Sequence, residues 1–158
     1  MVNLAKVKKG SLVFDPFCGT GSFLIEAGLI GCDVIGADAQ PHMVKGAFRN
    51  LRHFSVTPKA MTVADAEYPP ITGADGIVTD PPYGRTASTL GKSTEQIVKA
   101  TLPKFRTLLD SKKRICIASP KAIGIGRIAD EAGFKHVESH YVYVHRSLTR
   151  EIAVLETF

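Results

Sequence analysis

Two apolar runs, Ser11 to Phe14 and Gly76 to Thr79, are each followed at once by a loop of specialised composition. The first loop is Asp15-Pro-Phe-Cys-Gly-Thr-Gly-Ser-Phe23 and the second is Asp80-Pro-Pro-Tyr-Gly84. Both runs read as strands covered on both faces, the signature of a parallel sheet. Parallel strands need crossover connections, and the chain between the loops has room for a few βα units. Both loops therefore emerge at the carboxyl edge of one sheet, where open α/β sheets bind their ligands.

The rest of the chain keeps the same alternation. From Ser22 to Leu29, Phe23, Leu24, Ala27 and Gly28 recur at helical spacing, and Gly31 closes the segment. Asp33 to Asp38 is a second strand, through Val34 and Ile35. Pro41 suits the first turn of a helix whose buried stripe is Val44, Phe48 and Leu51, with Lys45, Arg49 and Arg52 outward. Lys59 to Ala64 and Ala74 to Thr79 are the third and fourth strands. Tyr83 to Thr94 is rich in Gly, Ser and Thr, lacks a period and reads as a mobile loop; apolar patterning resumes at Ile97, Val98 and Leu102. Arg114 to Ala118 is a fifth strand, and Ile123, Ile128, Ala129 and Ala132 mark a helix stopped at Gly133. Val137 to His145 and Glu151 to Thr157 are extended and joined by His145-Arg-Ser-Leu-Thr-Arg150, too short for a crossover, so these strands are antiparallel. The expected fold is α/β, a Rossmann-like doubly wound mixed sheet of about seven strands with a C-terminal antiparallel hairpin.

Bulk properties narrow the class. A chain of 158 residues is one domain, spanning residues 1–158, and its 44% hydrophobic and 22% charged fractions are those of a globular protein. No apolar run approaches the ~18 residues of a membrane span, and no signal-peptide pattern is present. Cys18, Cys32 and Cys116 form no CxxC pair, which argues against zinc and favours reduced thiols in a cytoplasmic setting. The net charge of +5 favours anionic partners such as nucleic acid.

The first loop carries its own chemistry. Gly19 and Gly21 let the chain turn sharply from strand to helix and approach a ligand closely. Phe23 stands where the third glycine of GxGxxG would be, which disfavours a nicotinamide dinucleotide. Asp15, at the strand's end, repels phosphate and attracts an ammonium or sulfonium. Those properties point to S-adenosylmethionine. Asp38, at the end of the second strand, is placed to accept from ribose hydroxyls, and Asp65, ending the third, from the adenine amino group. One such aspartate is more often a cap or a solvated turn; three at successive strand ends reverse that weighting. Cys18 has no partner base and reads as a packing residue.

In the second loop, Pro81 and Pro82 fix φ and remove two backbone donors, so the carbonyls and the Asp80 carboxylate form an accepting surface. An exocyclic amine needs such a surface while its nitrogen pyramidalises toward a methyl group. Asp80 takes the departing proton or offsets its charge. Tyr83 is placed to stack on an extruded base.

At these residues the chain resembles class I S-adenosylmethionine-dependent methyltransferases of the amino-group type, and within them the archaeal tRNA guanine-N2 methyltransferases that act on guanosine 10. Asp15 to Gly21 resembles that family's donor loop, Asp80-Pro-Pro-Tyr-Gly-Arg85 its catalytic loop, and the 145–150 segment its final hairpin. The resemblance implies that Asp15, Phe17, Gly19, Thr20, Gly21, Asp38, Ala39, Asp65 and Ala66 bind S-adenosylmethionine. It likewise implies that Asp80, Pro81, Pro82 and Tyr83 hold the target amine of a tRNA. Tyr83, Gly84, Arg85, Arg146 and Arg150 are then substrate contacts, the arginines toward phosphate. Ser22 departs mildly from the small residue, commonly Gly, expected there. Adenine-N6 methylation is an alternative, since those enzymes share Asp-Pro-Pro-Tyr; a non-catalytic binding module is another, for which a degraded Asp80 or Gly21 would be the mark. Family members carry an N-terminal RNA-binding THUMP region, and Met1-Val-Asn-Leu-Ala5 resembles the segment just after it. The resemblance therefore implies a catalytic domain with a THUMP-type domain upstream in the full-length protein. With the +5 charge spread over the domain, few phosphate contacts and poor tRNA affinity are expected of this chain alone.

Overall fold

The computed structural model describes residues 1–83 and 91–158. A 3₁₀ turn, Val2–Ala5, precedes β1 (Leu12–Asp15), α1 (Ser22–Leu29), β2 (Asp33–Asp38), α2 (Pro41–His53), β3 (Ala60–Val63) and β4 (Ala74–Thr79). Then come α3 (Thr94–Arg106), β5 (Leu109–Pro120), a 3₁₀ turn at Lys121–Ile123, α4 (Ile125–Glu131), β6 (Phe134–His145) and β7 (Leu148–Thr157). The sheet has seven strands in the order β3-β2-β1-β4-β5-β7-β6. Its first five are parallel and β7 is antiparallel to both β5 and β6. The chain reverses its direction of winding between β1 and β4, which opens a crevice beyond their carboxyl ends.

Alternation along the strands explains the two cores. Phe14, Ile77, Ile115, Ile117 and Leu155 face Val98, Leu102 and Phe105 of α3 and Ile125 and Ile128 of α4. Val13, Val34, Val78, Cys116 and Val154 face Leu24 and Ala27 of α1, Ala47 and Leu51 of α2, and Val2 and Ala5 of the N-terminal turn. Covering both faces is what makes the central strands read as unbroken apolar runs. Among the described residues, no helix is long and apolar enough to cross a membrane.

The expected elements recur with adjustments. Phe48 is 42% exposed, and Ala47 takes its place in the buried stripe of α2. β5 extends well beyond the 114–118 segment at both ends, and α4 excludes Ile123, which belongs to the preceding 3₁₀ turn, and Ala132, which caps its end. The hairpin connection is only Arg146-Ser147, since β6 and β7 pair up to His145 and Leu148. The loop expected from Tyr83 to Thr94 lies largely outside the described residues. Its end is fixed by a capping box on α3: Gln96 donates from its backbone to Ser93 Oγ at 3.2 Å, and the Ser93 backbone to Gln96 Oε1 at 2.8 Å.

Candidate active site

A cleft of about 230 Å³ opens at the crevice. Each parallel strand from β1 to β4 contributes the residues at or just past its end: Phe17 and Gly19, Asp38 and Ala39, Asp65 and Ala66, Asp80 and Pro82. Asp38, Asp65, Glu67 and Asp80 all line it, and Lys92 on its wall is committed to an ion pair with Glu67. A phosphorylated ligand would be repelled by such a lining. One carrying an ammonium and a positive sulfur would be drawn in.

The first loop is shaped by its glycines. Gly19 and Gly21 have φ of 49° and 86°, and a Cβ on Gly21 would stand 3.2 Å from the Cβ of Ala47. Asp38 secures this loop as well as its own turn: its Oδ2 accepts from Gly19 N at 3.0 Å and its Oδ1 from Gln40 N at 2.9 Å. The lone pairs left over are the acceptors open to a ligand. Asp65 accepts from Glu67 N at 2.9 Å, which turns the chain so that Ala66 becomes a buried part of the lining. Thr20 is exposed, and neither it nor Gly21 lines the cleft; both act on loop shape, the Thr20 carbonyl accepting from Asn50 Nδ2 at 2.9 Å.

Asp15 departs from expectation. It is 1% exposed, does not line the cleft, ties β1 to β4 by accepting from Thr79 Oγ1 at 2.7 Å, and fixes the turn after β1 by accepting from Phe17 N at 3.1 Å. Burial raises its pKa to about 7 against the lowering effect of those two hydrogen bonds, and the nearby charges of Asp38 and Asp80 add to the rise. The reason is its place on a strand in the middle of the sheet, where Thr79 at the end of β4 reaches it.

The second loop carries contacts the sequence did not suggest. Tyr83 donates its hydroxyl to Asp80 Oδ1 at 2.5 Å, and burial together with that bond pushes the phenol above its usual pKa, so it stays a neutral donor. Thr94 Oγ1 donates to the Pro82 carbonyl at 2.9 Å, occupying one of its two lone pairs. Pro81 is buried. Arg150, expected at a phosphate, instead lies with Nη2 3.5 Å from Asp80 Oδ2 and its guanidinium 5.4 Å from the Tyr83 ring centroid. It therefore covers the ring expected to stack on a base, and its Nε is buried with no partner among the described residues. Arg146 is exposed at the hairpin turn. Gly84 and Arg85 lie outside the described residues. Cys18 is buried, and burial above all pushes its thiol well above the usual range, as a packing residue requires.

Other lining residues, among them Gln40, Met43, Glu67, Lys92 and Ile97, carry no motif that singles them out in the sequence. Gln40 and Glu67 stand two residues beyond Asp38 and Asp65, and that parallel spacing is the available signal.

Comparison with known proteins agrees with this geometry. The model of the RMKL-like, methyltransferase domain family matches residues 1–152. A tRNA (guanine(10)-N2)-dimethyltransferase of Methanothermobacter thermautotrophicus is 43% identical over 157 residues, covering 99% of this chain and 46% of that protein. The enzyme of the same name from Methanocaldococcus jannaschii is 40% identical, covering 98% of this chain and 43% of that protein. The chain thus spans a little under half the length of each of these two relatives. The crystal structure of TrmN from Thermus thermophilus superposes with a TM-score of 0.83 at 22% identity, covering 99% of this chain and 47% of that one.

Proposed function

The chain belongs to the RMKL-like methyltransferase domain family, and from that membership we propose that it transfers a methyl group from S-adenosylmethionine to the exocyclic N2 amine of a guanosine in tRNA. The observation that carries this is that Asp80 lines the same cleft as Asp38 and Asp65, so donor-binding and amine-accepting groups share one cavity. The names of the relatives favour guanine over the adenine-N6 alternative.

The residues fit the donor. Asp38 offers acceptors to ribose hydroxyls and Asp65 to an adenine amino group, while the acidic lining favours the cationic ammonium and sulfur. When bound, S-adenosylmethionine supplies an electrophilic methyl group. Phe17, Pro82 and Ile97 provide apolar lining that excludes water. Asp80 and the Pro82 carbonyl, through the lone pair left by Thr94 among the described residues, accept from the target amine, and Asp80 offsets the positive charge that grows on the nitrogen. The Tyr83 hydroxyl fixes one Asp80 oxygen. An incoming base competes with Arg150 for the face of Tyr83.

Domain organisation is part of the proposal: residues 1–158 form the catalytic domain, and a THUMP-type region accompanies it in the full-length protein, a reading supported by the greater length of the relatives. The proposed setting is cytoplasmic, supported by three unpaired cysteines, all buried.

The test is methylation of tRNA transcripts with labelled donor followed by nucleoside analysis. Label should appear in N2-methylated guanosine; label in N6-methyladenosine would overturn the base assignment. Asp80→Ala should abolish transfer while leaving donor affinity within a few-fold, because the lost contact matters mainly in the transition state. Turnover near the wild-type rate would refute the role given to Asp80.

A further inference from the structure

At the opposite, amino-terminal edge of the parallel strands lies a second cavity, of about 450 Å³ and of opposite polarity. Lys6, Lys8, Lys112, Lys113 and Arg114 line it, against the carboxylates of Asp75 and Glu156. Those two carboxylates are already used: Lys113 Nζ is 2.6 Å from Asp75 and Arg114 Nε is 2.8 Å from Glu156. Lys6, Lys8 and Lys112 have no ion pair among the described residues. Five basic side chains against two carboxylates make this cavity a local focus of positive charge.

Local backbone builds this focus. On β4, Ala74 and Gly76 pair with Leu109 and Arg114 of β5, so the single residue Asp75 stands opposite the whole 110–113 segment. The excursion is tied down by the buried Thr157, whose hydroxyl donates to the Asp110 carbonyl and accepts from Lys113 N at 3.0 Å. Lys112 lies within it at φ 61°, and across the cavity Lys6 ends the N-terminal turn at φ 52°. Both are left-handed conformations that cost a non-glycine residue energy, and bulges and strained backbone of this kind concentrate at functional positions. Arg114 Nη1 donates to the Leu4 carbonyl at 3.5 Å and joins the two walls.

We propose that this cavity is a phosphate-binding subsite for the RNA, with Lys6, Lys8 and Lys112 as its contacts. The choice of RNA over a free anion rests on the methyltransferase reading above. The acidic cleft repels phosphates, so any backbone contact that this domain itself makes has to lie elsewhere on it. Asp75 at this cavity lies on β4 and Asp80 at the cleft just past its end, so the two sites stand at opposite ends of one buried strand, and an RNA touching both has to pass round the outside of the domain.

The experiment compares the wild type with Lys6→Gly, Lys8→Ala and Lys112→Gly, singly and together. Glycine relaxes the left-handed backbone at two of these positions, so thermal midpoints should be kept or raised. Binding of a fluorescent tRNA transcript is followed between roughly 50 and 200 mM salt; each lysine removed should lower the log–log slope by about 0.7 to 0.9, and the triple variant should lose about one to two orders of magnitude in affinity. Donor affinity should not change. Inorganic phosphate should compete with RNA for the wild type and much less for the triple variant. Unchanged salt slopes overturn the proposal. Loss of inorganic phosphate binding with unchanged RNA slopes also overturns it, leaving a small-anion site. If no tRNA is methylated but the slopes still fall, the RNA subsite stands and the catalytic reading fails.

Discussion

Replacing Asp15 by Asn removes a charge from the middle of the sheet and keeps its shape. The amide carbonyl of the new side chain can still accept from Thr79 Oγ1, the bond that ties β1 to β4, and from Phe17 N in the following turn. The wild-type carboxyl ionises near 7 in the fold, against an ordinary value of 3.8 in the unfolded chain. Below pH 3.8 both states hold the proton and nothing is lost. Between the two values the fold retains a proton that the unfolded chain has released, so stability falls as pH rises; above 7 both are ionised and the loss is constant. At about 1.4 kcal/mol per pH unit over that interval, the loss is about 4 kcal/mol, a large share of a domain's typical total of ~5 to 15 kcal/mol. Urea unfolding followed by circular dichroism at a series of pH values measures it. The two proteins should be nearly equal at about pH 4, and Asp15→Asn should be the more stable by about 4 kcal/mol at about pH 8. A difference that stays constant from acid to alkaline pH would show that Asp15 titrates at an ordinary carboxylate value and would refute the reasoning.

Asp38→Ala should weaken S-adenosylmethionine binding by about 1 to 3 kcal/mol and lower the melting temperature, because the Gly19 amide loses its acceptor; unchanged affinity by calorimetry would remove Asp38 from the site. Arg150→Ala should alter kcat or KM for tRNA without changing the salt slope of tRNA binding, since the guanidinium is engaged with Asp80 and Tyr83; a reduced slope would return Arg150 to the phosphate. Gly21→Ala should cost about 1 to 2 kcal/mol in urea unfolding, from its left-handed backbone with close packing on Ala47 added; a negligible cost would mean that the loop relaxes freely.

What is legible in the sequence follows from local pattern. The 22–29, 33–38 and 74–79 segments carry the same bounds in sequence and structure because each is an unambiguous apolar or helical run closed by a turn residue. Phe48 misleads because a stripe through residues 44, 48 and 51 is as periodic as one through 44, 47 and 51; the small Ala47 wins because α2 packs closely on Gly21. Asp15, Asp38, Asp65 and Asp80 look alike in sequence, each ending an apolar run. Three reach the cleft, and Asp15 does not, since Thr79 on the neighbouring strand captures it. Arg150 meets Asp80 only because β7 lies beside β5 and β5 beside β4, a proximity no spacing along the chain reveals. The basic cavity depends on the irregular register at the start of β5, which leaves no mark in the hydrophobic pattern.

The opposed polarities of the two cavities constrain how a nucleic acid can be used. A phosphate brought within ~4 Å of one carboxylate, at the effective dielectric near a protein surface, meets a repulsion of about 4 kcal/mol. The cleft presents Asp38, Asp65, Glu67 and Asp80, and Lys92 already answers Glu67. A nucleotide can therefore deliver its base to Asp80 only if its backbone is held back from the lining, which requires the base to leave the stack and enter alone. Arg150, ion-paired with Asp80, is spent on that carboxylate and on Tyr83, so it does not draw the backbone inward. The lysines proposed above as backbone contacts stand at the other edge of the sheet, clear of this lining. Under the proposed function, the acidity that favours a cationic methyl donor thus also enforces the extruded geometry in which an exocyclic amine would reach it.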